Sequence, residues 1–249
     1  MAITAKVVTN TLATTGDTAF TSSGFGTPDA AIIFVSRGNT TNNPATHAQM
    51  SAGFWCADPA QAGVAFGTED AVATSNAGRY GGDVNAAPIL ATNVASLAVQ
   101  YSAASTTDGI NLSVAAGSTG INRYASVLLL KGVTNAHVGA INLGTGTSAI
   151  NVTDPGFRAD LVLFLGAWTA DETLLASARF TFGAAKIDGA DTVTQGCVAL
   201  ESRDGQAATD TSTAIHNDVA AAKILSTALS TEISVSANAN GFTVTPSAD

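Results

Sequence analysis

Two segments of the chain carry nearly the same motif: GFGTPDAAIIF at Gly24–Phe34 and GFRADLVLF at Gly156–Phe164. Each begins with a Gly-Phe pair, reaches an aspartate and continues into an apolar run. The first copy has one residue more between the Phe and the Asp. A short apolar run bounded by turn residues is typical of a buried β-strand. The same turn and strand are therefore predicted twice in the chain.

Three further blocks repeat in the same order and at similar spacing. They are Met50–Phe54 with Phe180–Ala184, Glu69–Asn76 with Arg203–Asp210, and Asp108–Leu112 with Asn240–Val244. Four matches in register indicate duplication of a whole domain, because the repeat is far longer than a solenoid unit. We predict two domains, 1–132 and 133–249, with the boundary at Lys131–Asn135.

The local patterns predict an all-β fold. Ala31–Val35 and Leu161–Leu165 are predicted as strands buried on both faces, and Glu232–Ser236 alternates polar and apolar residues as a half-buried strand does. Asp108-Gly109 and Asn240-Gly241 are hairpin-turn dipeptides, since both residue types tolerate positive φ. We therefore predict two tandem, similar antiparallel β-sandwich domains of jelly-roll-like form.

One segment, Asp218–Leu225, has an N-cap residue and good helix formers. Its counterpart in the first copy, Ala86–Leu90, contains Pro88, which a helix interior excludes. The duplication therefore favours a strand or loop here, with at most one short helical turn.

Composition excludes several classes of protein. Ala, Thr and Gly supply 48, 33 and 24 of the 249 residues, and charged residues make up 12%. A coiled coil needs more Glu, Lys and Arg, and a disordered chain needs more charge. The net charge of −9, with ten Lys and Arg in all, argues against nucleic-acid binding. No apolar run approaches the length of a membrane span, so we expect a soluble protein made in the cytoplasm.

The two copies differ in charge and at their ends. Residues 1–132 carry five Lys and Arg against seven Asp and Glu, whereas residues 133–249 carry five against twelve. The first copy closes with the strand Asn122–Leu130, for which the second copy shows no counterpart. Because open sheet edges are templates for pairing, we expect a neighbouring chain or the domain interface to cover the edge in the second copy.

Motifs for metals, cofactors and nucleophiles are weak. His47, His137 and His216 are solitary and are not spaced as metal ligands. Neither Cys56 nor Cys197 belongs to a CxxC motif, and two buried thiols are favoured over the one possible disulfide. The sequence has no Gly-x-Ser-x-Gly elbow and no Walker spacing. We therefore predict no catalytic, cofactor-binding or metal-binding residues.

Two carboxylates, Asp70 and Asp204, occupy equivalent positions in polar loops. Such loops could bind calcium or a sugar, but an Asx-turn is favoured, because duplication preserves turns as readily as sites. Asp188–Asp191 is likewise interpreted as a turn, since the EF-hand ligand pattern is missing.

Aromatic residues are scarce, at 6% of the chain, and two tryptophans could serve as a platform for stacking a sugar. Trp55 follows Phe54 in a predicted strand, where packing in the core or between domains is favoured. Trp168 follows the predicted strand Leu161–Leu165. We predict Trp168 as the ligand residue for a glycan contact; a glycan-binding role would also use loops such as Asn39–Gln49 and the region after Trp168.

The repeated blocks, together with Leu128–Gly132 and the following His137–Gly139, resemble a family of duplicated β-sandwich virion structural proteins of tailed bacteriophages. The resemblance covers nearly the whole chain and brings no catalytic residues. It implies a non-enzymatic protein of the virion, made in the host cytoplasm and needing no cofactor. The missing closing strand of the second copy departs from the family's pattern.

Within a virion, we expect a capsid decoration or cement protein that buries neutral Ala, Thr and Gly surface against the major capsid protein or other virion proteins. The chain lacks the heptads and collagen-like triplets of a fibre shaft. A homo-oligomer, trimer or dimer, is the natural unit. Two alternatives stay open: a tail or tail-tip accessory protein that binds host surface glycan, and a glycan hydrolase, which would need paired carboxylates across a cleft.

Overall fold

The computed structural model describes residues 2–37, 47–58, 60–117, 123–144, 146–208, 210–226 and 228–248. Regular structure in these ranges is β-strand throughout, which confirms the all-β prediction. The described chain accordingly contains no helix with the length and hydropathy needed to cross a bilayer. The strands are β1 (Thr4–Thr11), β2 (Asp17–Thr21), β3 (Ala30–Arg37), β4 (Ala48–Cys56), β5 (Gln61–Glu69), β6 (Asn76–Gly82), β7 (Ala87–Leu90), β8 (Leu97–Thr106), β9 (Gly109–Gly117), β10 (Arg123–Lys131), β11 (Ile150–Val152), β12 (Leu161–Gly166), β13 (Thr173–Ala176), β14 (Ala178–Ile187), β15 (Val193–Ser202), β16 (Thr211–His216), β17 (Ala221–Leu225), β18 (Ala228–Asn238) and β19 (Gly241–Ala248).

These strands form four antiparallel sheets. Sheet 1 has the order β1-β10-β3-β4-β5-β6-β13, and sheet 2 has the order β2-β9-β8-β7. Sheet 3 has the order β12-β14-β15-β16, and sheet 4 has the order β11-β19-β18-β17. Sheets 1 and 2 belong to the first half of the chain apart from β13, and sheets 3 and 4 belong to the second half.

Each half has its own hydrophobic core between its two sheets. In the first half, Phe20, Ile33 and Leu112 are fully buried in one cluster, to which β2, β3 and β9 contribute. In the second half, Ile187 and Val244 belong to a separate cluster drawn from β14 and β19. Alternate residues of β2, β3 and β10 enter the core, as expected for packed sheets.

The two halves share the order of eight strands. The run β3-β4-β5-β6 in sheet 1 corresponds to β12-β14-β15-β16 in sheet 3, and β2-β9-β8-β7 in sheet 2 corresponds to β11-β19-β18-β17 in sheet 4. The repeated sequence blocks fall on corresponding strands and connecting loops of these sheets. This agreement supports our proposal that residues 1–132 and 133–249 are copies of one domain.

The repeated blocks share two pairs of glycines at positions where a side chain does not fit. A Cβ atom added to Gly53 would lie 1.8 Å from the carbonyl oxygen of Ala86, and one added to the corresponding Gly183 would lie 1.9 Å from that of Ala220. Neither position can accept a side chain without moving the backbone that faces it. The same close approach to a neighbouring carbonyl oxygen recurs at the hairpin glycines, Gly109 and Gly241.

The predicted hairpins form at Asp108-Gly109 and Asn240-Gly241, where β8 meets β9 and β18 meets β19. At the first hairpin, Asp108 adopts a φ of 66°, whereas Gly109 does not have a positive φ. The glycine is required there for close packing rather than for its backbone angle.

Two local predictions need comment. Strand β3 is buried on one face rather than both: Ala31, Ile33 and Val35 are buried, and Phe34 is 38% exposed. Phe34 instead faces the second half, as described below. The segment with helix-forming residues, Asp218–Leu225, contains the strand β17, as the duplication argument favoured. Packing of Ala221 and Ile224 into the sandwich outweighs the helix propensity of this segment.

The halves differ at one sheet edge. In sheet 1, β10 lies between β1 and β3 and pairs with both. In sheet 3, the corresponding strand β12 pairs on one side with β14, and none of the described strands pairs with its other side. That a neighbouring chain or the domain interface covers this edge stays a prediction.

Candidate functional site

The two halves pack together through the outer faces of sheets 1 and 3. The rings of Phe66 and Phe180 are 4.7 Å apart, and those of Phe34 and Phe182 are 6.3 Å apart in an edge-to-face arrangement. Ala167 is buried in the same contact, beside Val64. An apolar contact of this kind favours a fixed arrangement of the two halves over free motion.

A strand crosses from the second half into the first. After β12, the chain runs to the edge of sheet 1, where β13 pairs antiparallel with β6, and it then returns to β14. Residues Trp168, Glu172 and Ser177 adopt positive φ around this excursion, at 54°, 51° and 63°. The crossing strand therefore extends the first half's sheet with a segment from the second half.

Arg79 of β6 holds the crossing segment in place. The side chain is 5% exposed and donates hydrogen bonds to the carbonyl oxygens of Trp168 at 3.3 Å, Ser177 at 2.7 Å and Ala176. Burial, with the neighbouring charge of Arg179, lowers the pKa of Arg79 to about 10, so the guanidinium stays charged at neutral pH. Hydrogen bonds to a charged donor are the stronger kind.

The loop of Asp204 makes a second connection between the halves. The Asp204 carboxylate accepts a hydrogen bond from the backbone N–H of Ala77 at 2.9 Å. Gly205 N–H donates to the carbonyl oxygen of Ser75 at 2.7 Å, and the Ser75 hydroxyl donates to the carbonyl oxygen of Arg203. Asp204 therefore caps backbone of the other half rather than closing a turn of its own loop.

Its counterpart Asp70 behaves differently. Asp70 is exposed, and its backbone N–H donates to the Nδ1 atom of His47 at 2.9 Å. The two equivalent aspartates thus have different surroundings, and Asp204 has the structural role. Sequence reasoning identified the pair but not this difference, since nothing in either loop specifies which one meets the other half.

A row of apolar side chains crosses the outer face of sheet 3. Leu165, Phe182, Val198 and Ile215 are opposite one another on successive strands, in the registers of β12 with β14, β14 with β15, and β15 with β16. At one end, Leu165 and Phe182 contact the first half. At the other end, Val198 is 47% exposed and Ile215 is 81% exposed. We call these two exposed residues the apolar patch.

Trp168 lies at the base of the crossing segment. Its side chain is half-buried and packs against the core cluster of the second half. The indole Nε1 atom is buried and no hydrogen-bond acceptor lies within reach in the described structure. Its predicted glycan contact stays a prediction, and the part of the ring available for stacking is reduced by this packing. The other predicted segment, Asn39–Gln49, is described only from His47 onward.

Trp55 is 3% exposed and belongs to the core of the first half. Cys56 and Cys197 are both buried and free. Burial raises the pKa of the Cys197 thiol to about 11, with Glu232 and Asp218 adding to the shift. Both cysteines behave as packed apolar residues at neutral pH.

A buried ion pair joins β14 and β15. Arg179 Nε lies 2.8 Å from Glu201 Oε1, and the other oxygen of Glu201 accepts the backbone N–H of Ser226 at 2.8 Å. Burial, followed by the charges of Arg179 and Arg79, lowers the pKa of the nearby Lys223. Both oxygens of the Glu201 carboxylate therefore have partners that hold these strands.

Three exposed carboxylates, Asp83, Asp171 and Glu172, come within 4.8 Å of one another among the described residues. Glu172 accepts a hydrogen bond from the Tyr80 hydroxyl, and burial together with this bond raises the pKa of Tyr80. Exposed acidic groups of this kind are common without an ion. The hydrogen bond between Tyr80 and Glu172 ties the turn before β13 to β6.

A shallow cleft of about 430 Å³ is lined by Lys6, Ser22, Ser23, Phe25 and Lys131, among others. A second cleft of about 190 Å³ contains Asp204, which already caps Ala77. Neither is lined by a pair of carboxyl groups, the arrangement that glycoside hydrolysis needs.

Comparison with known proteins gave no matching family model, no matching curated protein and no matching solved structure.

Proposed function

We propose that the protein is a non-enzymatic structural protein of a bacteriophage virion, and specifically a capsid decoration protein that stabilises the particle through many identical contacts. The proposal rests on the resemblance of the repeated blocks to phage virion proteins and on a surface suited to contact with other proteins. Its partners would be the major capsid protein or other virion proteins, and its working unit a dimer or trimer.

The apolar patch is the observation that carries this proposal. Val198 and Ile215 continue a row whose other members, Leu165 and Phe182, are already used in packing against the first half. A β-branched side chain exposed to 81%, beside a second one exposed to 47%, favours burial against a partner. The buried Arg179–Glu201 pair ties β15, which carries Val198, to β14.

The size of the patch fits a role that depends on many copies. Burying a large aliphatic side chain contributes about 1.5–3 kcal/mol, so two such side chains give a weak contact on their own. When many copies bind one lattice, or when two or three patches act within one oligomer, the contacts add through effective concentration. Decoration of a repeating capsid surface provides this situation.

The direct test is saturable binding to phage heads. Purified protein is mixed with heads of the phage that encodes it, from which the protein has been deleted, and bound protein is measured after sedimentation. We expect saturation at a fixed number of copies per head and a loss of affinity of at least tenfold for Ile215→Asp. Val84→Asp is the matched control, because Val84 is 58% exposed and lies outside the row.

Three outcomes would contradict the proposal. Absence of binding to heads would remove the decoration role. Equal binding by Ile215→Asp and wild type would show that the apolar patch takes no part in binding to heads. Labelling of the tail rather than the head by an antibody, seen by electron microscopy of intact particles, would favour the alternative of a tail accessory protein.

A further inference from the structure

The first half contains a strand that the described second half lacks. Strand β10 lies between β1 and β3, with Leu130 opposite Ala5 on one side and Ala30 on the other. Ala125, Val127 and Leu129 of β10 are buried in the core of the first half. Strand β10 therefore both covers the edge of β3 and supplies apolar side chains to the core.

The elements that flank β10 have counterparts in the second half. Strand β12 corresponds to β3. The segment 132–149 precedes β11 as β1 precedes β2, and its described residues form no strand. Ile141 and Leu143 of this segment nevertheless pack against the second half's core, as Val8 of β1 does in the first half. In the second half, one neighbour of the missing strand is kept as the strand β12, and the segment in the place of β1 packs against the core without forming a strand.

In the first half, an aspartate side chain binds the backbone just after the C-terminal end of β10. In the first half, Asp29 accepts hydrogen bonds from the backbone N–H groups of Gly132 at 2.7 Å and Val133 at 3.0 Å, the two residues that follow β10. The corresponding residue in the second half is Asp160, whose side chain is 86% exposed. It contacts Arg158 at 3.0 Å, and no backbone N–H of the described residues donates to it.

The open edge of β12 also lacks the features that prevent pairing. Its sequence, LVLFLG at Leu161–Gly166, has no charge and no proline, and Leu161 is 60% exposed. Several other edge strands carry such a residue: Lys6 on β1, Pro88 on β7 and Lys223 on β17. Charged residues and prolines on edges are the usual protection against strand addition.

We propose that β12 accepts a strand from a neighbouring protein of the assembly, in the place that β10 takes in the first half. The strand would run antiparallel to β12, place small or branched apolar side chains at alternate positions, and present two backbone N–H groups to Asp160. A separate extended segment fits this place better than a second copy of the chain. An edge strand of a folded copy already faces the core of its own half, whereas β10 supplies Ala125, Val127 and Leu129 to the core that it completes.

The source of the strand rests on the proposed function, because an assembled particle is what brings a neighbouring protein to the edge. The pairing itself can be measured on the isolated full-length chain. The probe is a fluorescently labelled synthetic peptide with the sequence of residues 123–133, RYASVLLLKGV, which represents β10 and the two residues that follow it.

We expect saturable binding of this peptide, seen by fluorescence anisotropy, and at least tenfold slower hydrogen exchange at residues 161–166 in its presence. Asp160→Ala should weaken binding about tenfold, the effect of losing hydrogen bonds to a charged group. Asp154→Ala, at another exposed carboxylate of the second half, should not change it. A peptide with proline at the position of Leu128 should not bind, because it cannot pair along its length.

Three results would overturn the inference. They are no binding of the peptide, protection at residues 30–37 in place of 161–166, and equal affinity for wild type and Asp160→Ala. The thermal unfolding of Asp160→Ala is compared with that of wild type, so that a loss of affinity is not confused with unfolding. If the peptide fails while heads still bind the chain, this inference is wrong and the proposed function stands.

Discussion

At the scale of single residues, some glycines leave no room for a side chain, and the sequence shows this only as glycines repeated in both copies. We predict that Gly183→Ala destabilises the second half by about 1–3 kcal/mol, because the new Cβ atom would lie 1.9 Å from the Ala220 carbonyl oxygen. Gly53→Ala should act alike in the first half, where Ala86 presents its carbonyl oxygen. Urea denaturation would measure both. Gly189→Ala is the control, since nothing lies within 4 Å of its added Cβ, and an equal effect there would contradict the explanation.

The two equivalent aspartates offer a second test at this scale. Asp204→Ala should cost about 1–3 kcal/mol, because the buried Ala77 loses the acceptor for its backbone N–H. Asp70→Ala should change stability by less than about 0.5 kcal/mol, because Asp70 is exposed. Denaturation midpoints of the two variants would show the difference. Equal midpoints would mean that Asp204 does not connect the halves.

Some of these residue-scale features could be predicted from the sequence. The repeated Gly and Asp positions were visible, because both copies keep them. The reason for keeping them was not visible: the glycines meet carbonyl groups of strands far away in sequence, and Asp204 meets Ala77. Patterns within one segment do not reveal which distant backbone will face it.

At the scale of strands, the alternating and apolar runs predicted β3, β12 and β18, since a two-residue period is a local property. The crossing strand β13 was missed. It has only the residues TLLA, Thr173–Ala176, and its stability comes from pairing with β6 and from Arg79. A run this short has no period of its own, so its structure depends on the strand it joins.

The dependence of β13 on Arg79 can be tested by substituting the arginine. Arg79→Met should leave three carbonyl oxygens of the crossing segment without their donor, and we expect at least tenfold faster hydrogen exchange at residues 173–176. Lys6→Met, a change of a charged residue on the exposed strand β1, is the control. Unchanged exchange at β13 in Arg79→Met would show that strand pairing alone holds the segment.

At the scale of the whole molecule, the question is whether the halves unfold together. They share the phenylalanine contacts between sheets 1 and 3, the crossing strand and the Asp204 loop. Each half also has its own core, so either could unfold separately if these connections were weak. Because the connections are several and partly buried, we predict a single cooperative transition for the wild-type chain in differential scanning calorimetry.

Phenylalanine variants distinguish the contact between the halves from the packing within the second half. Phe180→Ala removes a ring 4.7 Å from Phe66 at the contact between the halves, and we expect the single transition to split into two. Phe164→Ala removes a ring 6.1 Å from Phe242 within the second half and should lower the transition temperature. It should leave the contact between the halves in place, so we expect one transition there. A single transition in Phe180→Ala would contradict this expectation, and it would show that the crossing strand and the Asp204 loop are enough to couple the halves.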